Sequence, residues 1–173
     1  MKTTLEIINQ MQSDGVIDQY AIGGAVGATF YLEPAATLDI DVFVSFQKMT
    51  DSPLVSLSPI YDYLTARGCR VEKEYIVIDS WPVQFLPPGD ALDKEAIIQA
   101  IETDVDGIKV RVMTAEHLTA IALRTGRKKD KIRMEQFIES GVLEAAKLDQ
   151  ILTRHGLLAK WEKFMHSYRE ENK

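Results

Sequence analysis

The amino-acid sequence predicts an α+β fold, in which a mixed β-sheet with helices is followed by a carboxy-terminal helical region. Strand-like segments recur as far as Val112, whereas from Thr114 onward the apolar positions repeat only at helical spacing. We therefore divide the chain into a core of residues 1–113 and a helical region of residues 114–173. We expect the two to pack as one compact unit, because no long linker separates them.

The amino-terminal segment predicts an amphipathic helix. Thr3 and Glu6 have the spacing of a capping box, and apolar residues recur on one face until Gly15, so we expect a helix over residues 3–14. Residues 20–22 then form a short apolar segment that is typical of a buried strand. The core therefore begins with a helix followed by a strand.

A glycine pair follows this strand. Gly23 and Gly24 precede residues 25–32, whose small side chains recur at helical spacing. A strand, a glycine turn and a helix allow backbone N–H groups to approach a phosphate closely. A tight turn or close helix packing explains such a pair equally well, so the glycines indicate a phosphate site only in combination with other residues.

Two aspartates lie on the next predicted strand. Residues 38–44 are rich in β-branched and aromatic residues, and their alternation places Asp39 and Asp41 on one face. Two carboxylates on one face repel each other unless water or a cation neutralises them. Mg²⁺ suits the pair, because it prefers oxygen ligands and is held by one or two carboxylates plus substrate phosphates. The alternative is an exposed strand face with solvated aspartates.

The remaining segments complete the sheet and its helical cover. Further core elements are expected as a helix over residues 54–64, strands over 71–78 and 82–86, a helix capped by Asp90 that reaches Ile101, and a strand over 108–112. In the helical region, breaks are expected near Gly126, Gly141 and Gly156.

The composition is that of a folded protein rather than a disordered one. The 173 residues are 46% hydrophobic and 27% charged. A single cysteine, Cys69, excludes an intramolecular disulfide, and no segment has the pattern of a signal peptide or the length of a membrane span. We expect a cytoplasmic protein that does not engage a membrane.

Charge is distributed unevenly along the chain. A net charge of -6 disfavours a protein that coats nucleic acid, because such proteins spread basic residues over a broad face. Residues 124–133 nevertheless concentrate basic side chains: Arg124, Arg127, Lys128, Lys129, Lys131 and Arg133. Basic residues at the start of a helix oppose its dipole, so this cluster indicates an anionic ligand such as phosphate or RNA. The alternative is a solvated turn that pairs with the acidic remainder of the chain.

Two motifs together resemble a known family. Ile22-Gly23-Gly24, followed by Thr37-Leu38-Asp39-Ile40-Asp41-Val42-Phe43-Val44, resembles the signature of the DNA polymerase β-type nucleotidyltransferase superfamily, in its small bacterial members. The resemblance implies a nucleotidyltransferase-like fold. It also implies that Gly23, Gly24 and Thr37 hold a nucleoside triphosphate and that Asp39 and Asp41 bind Mg²⁺ as catalytic residues.

One position departs from this family pattern. A third carboxylate from a later strand completes a two-metal site in the family. The matching position here is Gln84, within Pro82-Val83-Gln84-Phe85-Leu86, and a neutral amide binds Mg²⁺ less well than a carboxylate. Asp79 and Asp90 are the alternative carboxylates nearby in the sequence. The third metal ligand therefore stays open at the level of sequence.

A second stretch, residues 114–130, is similar to a segment of abortive-infection (AbiEii-type) toxins, in which a helix, a Gly-Arg turn and a Lys-Asp pair follow the catalytic core. The similarity implies that Arg124, Arg127 and Lys128 contact the nucleotide. Those toxins commonly carry a lysine where this chain has Ala122, and Arg124 offers a replacement charge.

Two functions follow from these motifs. The first is Mg²⁺-dependent transfer of a nucleotidyl group from a nucleoside triphosphate to the hydroxyl of an unknown acceptor, which is an RNA, a protein or a small molecule. The second, favoured by Gln84, is a catalytically impaired binding or regulatory protein, such as a toxin–antitoxin component with a protein partner. A glycosyltransferase is poorly supported, because no complete nucleotide-binding α/β domain precedes the aspartates.

Overall fold

The computed structural model describes residues 1–33, 39–46 and 56–172. The strands are β1 (Gln19–Ile22), β2 (Ile40–Ser45), β3 (Arg70–Glu72), β4 (Tyr75–Ile78), β5 (Trp81–Leu86), β6 (Ile101–Val105) and β7 (Ile108–Val112). The helices are α1 (Lys2–Ser13), α2 (Gly24–Ala28), α3 (Ser58–Thr65), α4 (Ala91–Ile98), α5 (Ala115–Thr125), α6 (Lys128–Ser140), α7 (Ala145–Arg154) and α8 (Leu158–Glu171). The predicted α+β class is confirmed.

The strands form one mixed sheet in the order β3-β4-β5-β2-β1-β7-β6. At its centre β2 runs antiparallel to β1 and parallel to β5, and β1 runs parallel to β7. The glycine turn leaves β1 and the aspartates lie on or just before β2, so adjacent central strands bring these two motifs together.

The alternation of β2 separates the two faces of the sheet. Ile40, Val42 and Val44 are fully buried in a cluster that also contains apolar residues of α1 and α3. Asp41 and Phe43 point to the other face, where a second cluster joins residues of α4, α5 and α6. Each fully buried aliphatic side chain contributes roughly 1.5–3 kcal/mol to stability, so reversing this alternation is strongly opposed.

Several local expectations were wrong. The predicted strand over residues 71–78 is two strands, because the chain reverses at Lys73, which has a φ of 57°. Ile101 begins β6 instead of ending the preceding helix. The capping box at Thr3 is absent; in its place the neighbouring Thr4 hydroxyl donates to the Ile78 carbonyl at 3.0 Å. The long-range contact replaces the local one.

The predicted caps and breaks farther along the chain are confirmed. The Asp90 side chain accepts a hydrogen bond from the Asp93 N–H at 3.0 Å and so begins α4. Gly126, Gly141 and Gly156 have φ values of 71°, 69° and 67°, which end the helices before them in the left-handed conformation. Among the described residues, none of the helices combines the length and hydrophobicity needed to span a bilayer.

The carboxylate of one residue, Glu95, connects α4 to α5 and α7. The Glu95 carboxylate accepts from Arg154 Nη2 at 2.7 Å and Nε at 2.9 Å, and it lies 2.8 Å from His155 Nε2 and 3.2 Å from His117 Nε2. The Arg154 hydrogen bonds, with those of the two histidines, lower the pKa of Glu95 to about 2 despite its burial. Leu92 packs nearby with apolar residues of α5 to α7. The division at residue 113 stays a prediction.

We expect Glu95→Gln to lower the free energy of unfolding at neutral pH by on the order of 2–3 kcal/mol, because the folded protein holds this carboxyl ionised. A depressed pKa contributes stability that is present above the unfolded value of about 4.5 and is lost as the pH falls towards 2. The difference from the unsubstituted protein, measured by urea unfolding, should therefore shrink between pH 4.5 and 2. Glu139→Gln at an exposed position is the control. An equal loss of unfolding free energy in both variants would contradict the stabilising role of Glu95.

Candidate active site

Gly23 joins the end of β1 to the start of α2. Its N–H donates to the Asp41 carbonyl at 2.9 Å, which continues the pairing of β1 with β2 beyond the last strand residue. A Cβ at Gly23 would lie 2.8 Å from Phe43 Cε2. Close packing against β2 therefore requires glycine at this position. Because α2 has five residues, the turn and not a helix dipole shapes this part of the site.

Gly24 is required for a different reason. Its φ is 58°, and a Cβ there would lie 1.9 Å from Asp41 Oδ2. No side chain fits in that space, so the Asp41 carboxylate rests directly against the backbone of the glycine turn. The two sequence motifs, far apart in the chain, form one constellation.

Gln84 lies beside Asp41. In the parallel pair of β2 and β5, Asp41 is opposite Gln84, so both side chains project from the same face. Asp39 immediately precedes β2 and is half-buried. The charge of Asp39 raises the pKa of the Tyr75 hydroxyl, which also forms a hydrogen bond with this carboxylate. A tyrosine of β4 thus borders the aspartate pair.

A cavity of about 280 Å³ opens over this face. Its lining is partly apolar and partly charged. The apolar and small residues that line it are Gly24, Phe43, Leu86, Met113, Leu118, Ile121 and Ala122. The polar residues that line it are Asp41, Gln84, Arg124, Thr125, Arg127, Asp130 and Arg133. A cavity of this kind suits a ligand with both a flat or apolar part and an anionic part.

Three charged residues of the cavity lining come from the first half of α6 and its N-cap. Arg127 is the N-cap of this helix, and Asp130 and Arg133 follow at intervals of three residues, so all three face the cavity. Asp130 is 1% exposed and accepts from Arg127 Nε at 2.7 Å and from the Arg127 N–H at 3.2 Å. Arg133 Nη1 lies 3.7 Å from the same carboxylate. Asp130 therefore fixes two guanidinium groups in place.

These basic groups act on Asp41. Burial, followed by the charge of Asp39, raises the pKa of Asp41, whereas Lys129, Arg127 and Arg133 lower it. Burial also lowers the pKa of the Arg133 guanidinium. The cavity consequently holds a carboxylate that is costly to ionise and one largely buried guanidinium group, that of Arg133, an arrangement that a bound cation and a bound anion would stabilise together.

The other residues that the sequence predicts to bind the nucleotide differ in their surroundings. Arg124 lines the cavity, but its Nη1 lies 2.5 Å from Asp90 Oδ2 and its Nη2 lies 2.9 Å from Asp93 Oδ1. Lys128 is exposed and is not among the side chains that line the cavity. Thr37 lies outside the described residues. Of the predicted phosphate contacts among the described residues, Arg127 is thus the one whose charge lowers the pKa of Asp41.

Sequence reasoning missed two residues of this site. Arg133 was counted in the basic cluster without a role, although its spacing from Arg127 would have placed both on one face of α6. Nothing in the sequence marks Tyr75, because its place beside Asp39 depends on the chain reversal at Lys73, where a single strand is predicted instead. Asp79 and Asp90, the alternative carboxylates, do not line the cavity.

The carboxylates of the site are few. Among the residues that the structure describes, no group of three or more histidine, cysteine, aspartate or glutamate side chains is placed to hold a metal ion. In number, the two carboxylates of Asp39 and Asp41 match what one Mg²⁺ takes from a protein, since this ion keeps several waters and takes further ligands from substrate phosphates. They do not by themselves fit a pair of ions.

No protein-family model and no curated protein matches this chain. Solved structures do resemble it. The solution structure of the antibiotic-resistance factor ANT(2'')-Ia aligns with a TM-score of 0.54 at 16% identity, covering 98% of this chain and 97% of the other. A crystal structure of ANT(2'')-Ia with adenylyl-2''-tobramycin aligns with a TM-score of 0.55 at 16% identity, covering 92% and 99%.

A third structure, an antigenic nucleotidyltransferase-like protein from Paracoccidioides brasiliensis, aligns with a TM-score of 0.49 at 16% identity, covering 88% of this chain and 85% of that protein. The two ANT(2'')-Ia alignments extend over nearly the whole length of both chains. At this identity they establish the fold, and the fold of this chain is that of a nucleotidyltransferase.

Proposed function

We propose that this chain transfers a nucleotidyl group from a nucleoside triphosphate to an acceptor hydroxyl, with Mg²⁺ as cofactor. One observation carries the proposal. The cavity places the Asp41 carboxylate against the Gly24 backbone and opposite the guanidinium groups of Arg127 and Arg133. A metal-bound polyphosphate has matching chemistry, because it presents a cation to the carboxylate and anionic oxygens to the arginines.

Asp39 and Asp41 are the residues that would hold the ion. Mg²⁺ bound there would neutralise phosphate charge as it develops during transfer. Arg127 and Arg133 would contact phosphate oxygens, with Asp130 keeping their side chains extended into the cavity. Gly23 and Gly24 would position the Asp41 carboxylate beside the triphosphate, because a side chain at either glycine would collide with Phe43 or with Asp41.

The reaction is a displacement at the α-phosphorus. The acceptor oxygen forms a bond to the α-phosphorus while the bond from that phosphorus to the bridging oxygen of the leaving group breaks. Pyrophosphate departs with the bonding electron pair, and the acceptor proton passes to solvent. The protein supplies orientation and charge neutralisation rather than a covalent intermediate.

The acceptor of this chain is an RNA, a protein or a small molecule. The ANT(2'')-Ia structure with adenylyl-2''-tobramycin contains, by its chemical name, a small molecule that carries an adenylyl group. That complex supports a small-molecule acceptor. The resemblance to polymerase β-type enzymes and to AbiEii-type toxins supports the same reaction on a larger acceptor in the cytoplasm, including a toxin–antitoxin role with a protein partner.

A specific observation favours a second candidate, a nucleotide-binding regulatory protein without turnover. Gln84 occupies the position opposite Asp41 where the related family places a third carboxylate. A site with fewer metal ligands would retain nucleotide binding and lose catalytic rate.

Label transfer separates the two candidates. The chain is incubated with each of the four α-³²P nucleoside triphosphates, Mg²⁺ and a cell extract, and the products are resolved into RNA, protein and small molecules. If the chain is an enzyme, a labelled acceptor should appear, and it should disappear when Asp39→Asn and Asp41→Asn are combined. Nucleotide binding without any labelled acceptor in this assay would favour the regulatory protein.

The double substitution Asp39→Asn with Asp41→Asn should abolish Mg²⁺-dependent nucleotide binding, because neutral amides are poor ligands for this ion. We expect affinity, measured by calorimetry in Mg²⁺, to fall by roughly 100-fold, or about 3 kcal/mol. The control, Asp62→Asn with Asp106→Asn, removes the same charge from exposed positions. Unchanged binding by the site variant would refute the assignment of the aspartates.

Gly24→Ala tests the contact between the turn and the carboxylate. The new Cβ would lie 1.9 Å from Asp41 Oδ2, so the carboxylate must move and nucleotide binding should fall by at least roughly tenfold. Gly15→Ala is a matched control, because Gly15 has a φ of 73° and nothing lies within 4 Å of an added Cβ. Both substitutions strain a left-handed residue by roughly 1–2 kcal/mol, but only the first should impair binding. Equal binding by both would contradict the geometry.

A further inference from the structure

We infer that, if the proposed function holds, the site binds a single divalent cation, and that Arg127 and Arg133 supply the positive charge that a second ion would provide. This differs from the two-metal arrangement that the sequence resemblance implies. The inference rests on the proposed function and concerns how many ions the cavity accepts.

A pair of divalent ions needs shared negative ligands. In two-metal sites the ions lie about 3.5–4 Å apart, so carboxylates must bridge them or bind each one to offset their mutual repulsion. The candidate ligands here are Asp39 and Asp41, and the neighbouring strand contributes the neutral amide of Gln84. Among residues 1–33, 39–46 and 56–172, no group of three or more histidine, cysteine, aspartate or glutamate side chains is placed to hold a metal ion. Two carboxylates serve one ion with water and phosphate oxygens.

The other carboxylates near the cavity are already neutralised by arginines. Asp130 is buried and binds Arg127 and lies beside Arg133. Asp90 and Asp93 both bind Arg124. To serve as metal ligands, these groups would have to break ion pairs in a partly buried place, leaving a guanidinium group without its partner.

The arginines occupy the electrostatic position of a second cation. Arg127 and Arg133 line the same cavity as Asp41, and the Asp130 contacts hold them there. Arg127 and Arg133 carry two positive charges against the one negative charge of Asp130, so a second divalent ion beside Gln84 would meet a net positive charge from α6. A phosphate group, in contrast, satisfies the arginines and the single ion at once.

Gln84→Glu should change the site from one that binds a single divalent ion to one that binds two. The substitution keeps the length of the side chain and adds a carboxylate on the strand next to Asp41, where the parallel register already directs residue 84. The variant has the ligand charge for two ions. Gln84→Asp is the second variant, in case the longer carboxylate disturbs packing.

The experiment counts Mn²⁺ ions by electron paramagnetic resonance, with the full chain and one equivalent of a non-hydrolysable nucleoside triphosphate. The unsubstituted chain should bind one ion per protein and give the spectrum of an isolated ion. Gln84→Glu should bind two ions and show the magnetic coupling expected for ions about 3.5–4 Å apart. Gln150→Glu, which adds the same charge on exposed helix α7, should still bind one.

The outcomes separate this inference from the proposed function. Two coupled ions in the unsubstituted chain overturn the inference and leave the proposed function standing. Neither ion nor nucleotide bound overturns both. One ion in both folded carboxylate variants overturns the role of Gln84. Arg133→Gln should keep one ion and weaken nucleotide binding roughly tenfold; unchanged nucleotide binding would overturn the role given to the arginines.

Discussion

The contact between Asp41 and the glycine turn is the constraint on which the site depends. The Asp41 carbonyl accepts the Gly23 N–H, and its carboxylate occupies the space that a side chain at Gly24 would fill. One residue of β2 therefore both extends the sheet through its backbone and directs its side chain at the turn. The position of the carboxylate is set by the central pair of strands, which is among the most buried parts of the fold.

Charge around this contact is arranged in opposed pairs. Burial, and after it the charge of Asp39, raises the pKa of Asp41, and the basic side chains of Lys129, Arg127 and Arg133 lower it. Asp130 in turn holds Arg127 by accepting hydrogen bonds from its Nε and its backbone N–H. The result is one cavity lined by both a carboxylate and guanidinium groups, which suits the two ends of a metal–phosphate ligand.

The helical region contributes to this arrangement through its attachment to the core. Glu95 ties α4 to α7 and to the buried His117 of α5, and Arg124 ties the end of α5 to the start of α4. These links hold the end of α5 against α4, whereas left-handed Gly126 ends the helix and leads the chain to Arg127.

The sequence by itself determined the fold class, the order along the chain of the first strand, the glycine turn and the second strand, and the position of the aspartate pair. Strand alternation and the conformational preferences of glycine are local properties, so they can be recognised in the sequence. It also placed the breaks at Gly126 and Gly141. Only the tertiary structure decided that Arg133 faces Asp41, that Tyr75 borders Asp39, and that Arg124 is engaged by acidic residues of α4. These outcomes depend on which strands pair and which helix ends meet, and neither is encoded in the periodicity of a single segment.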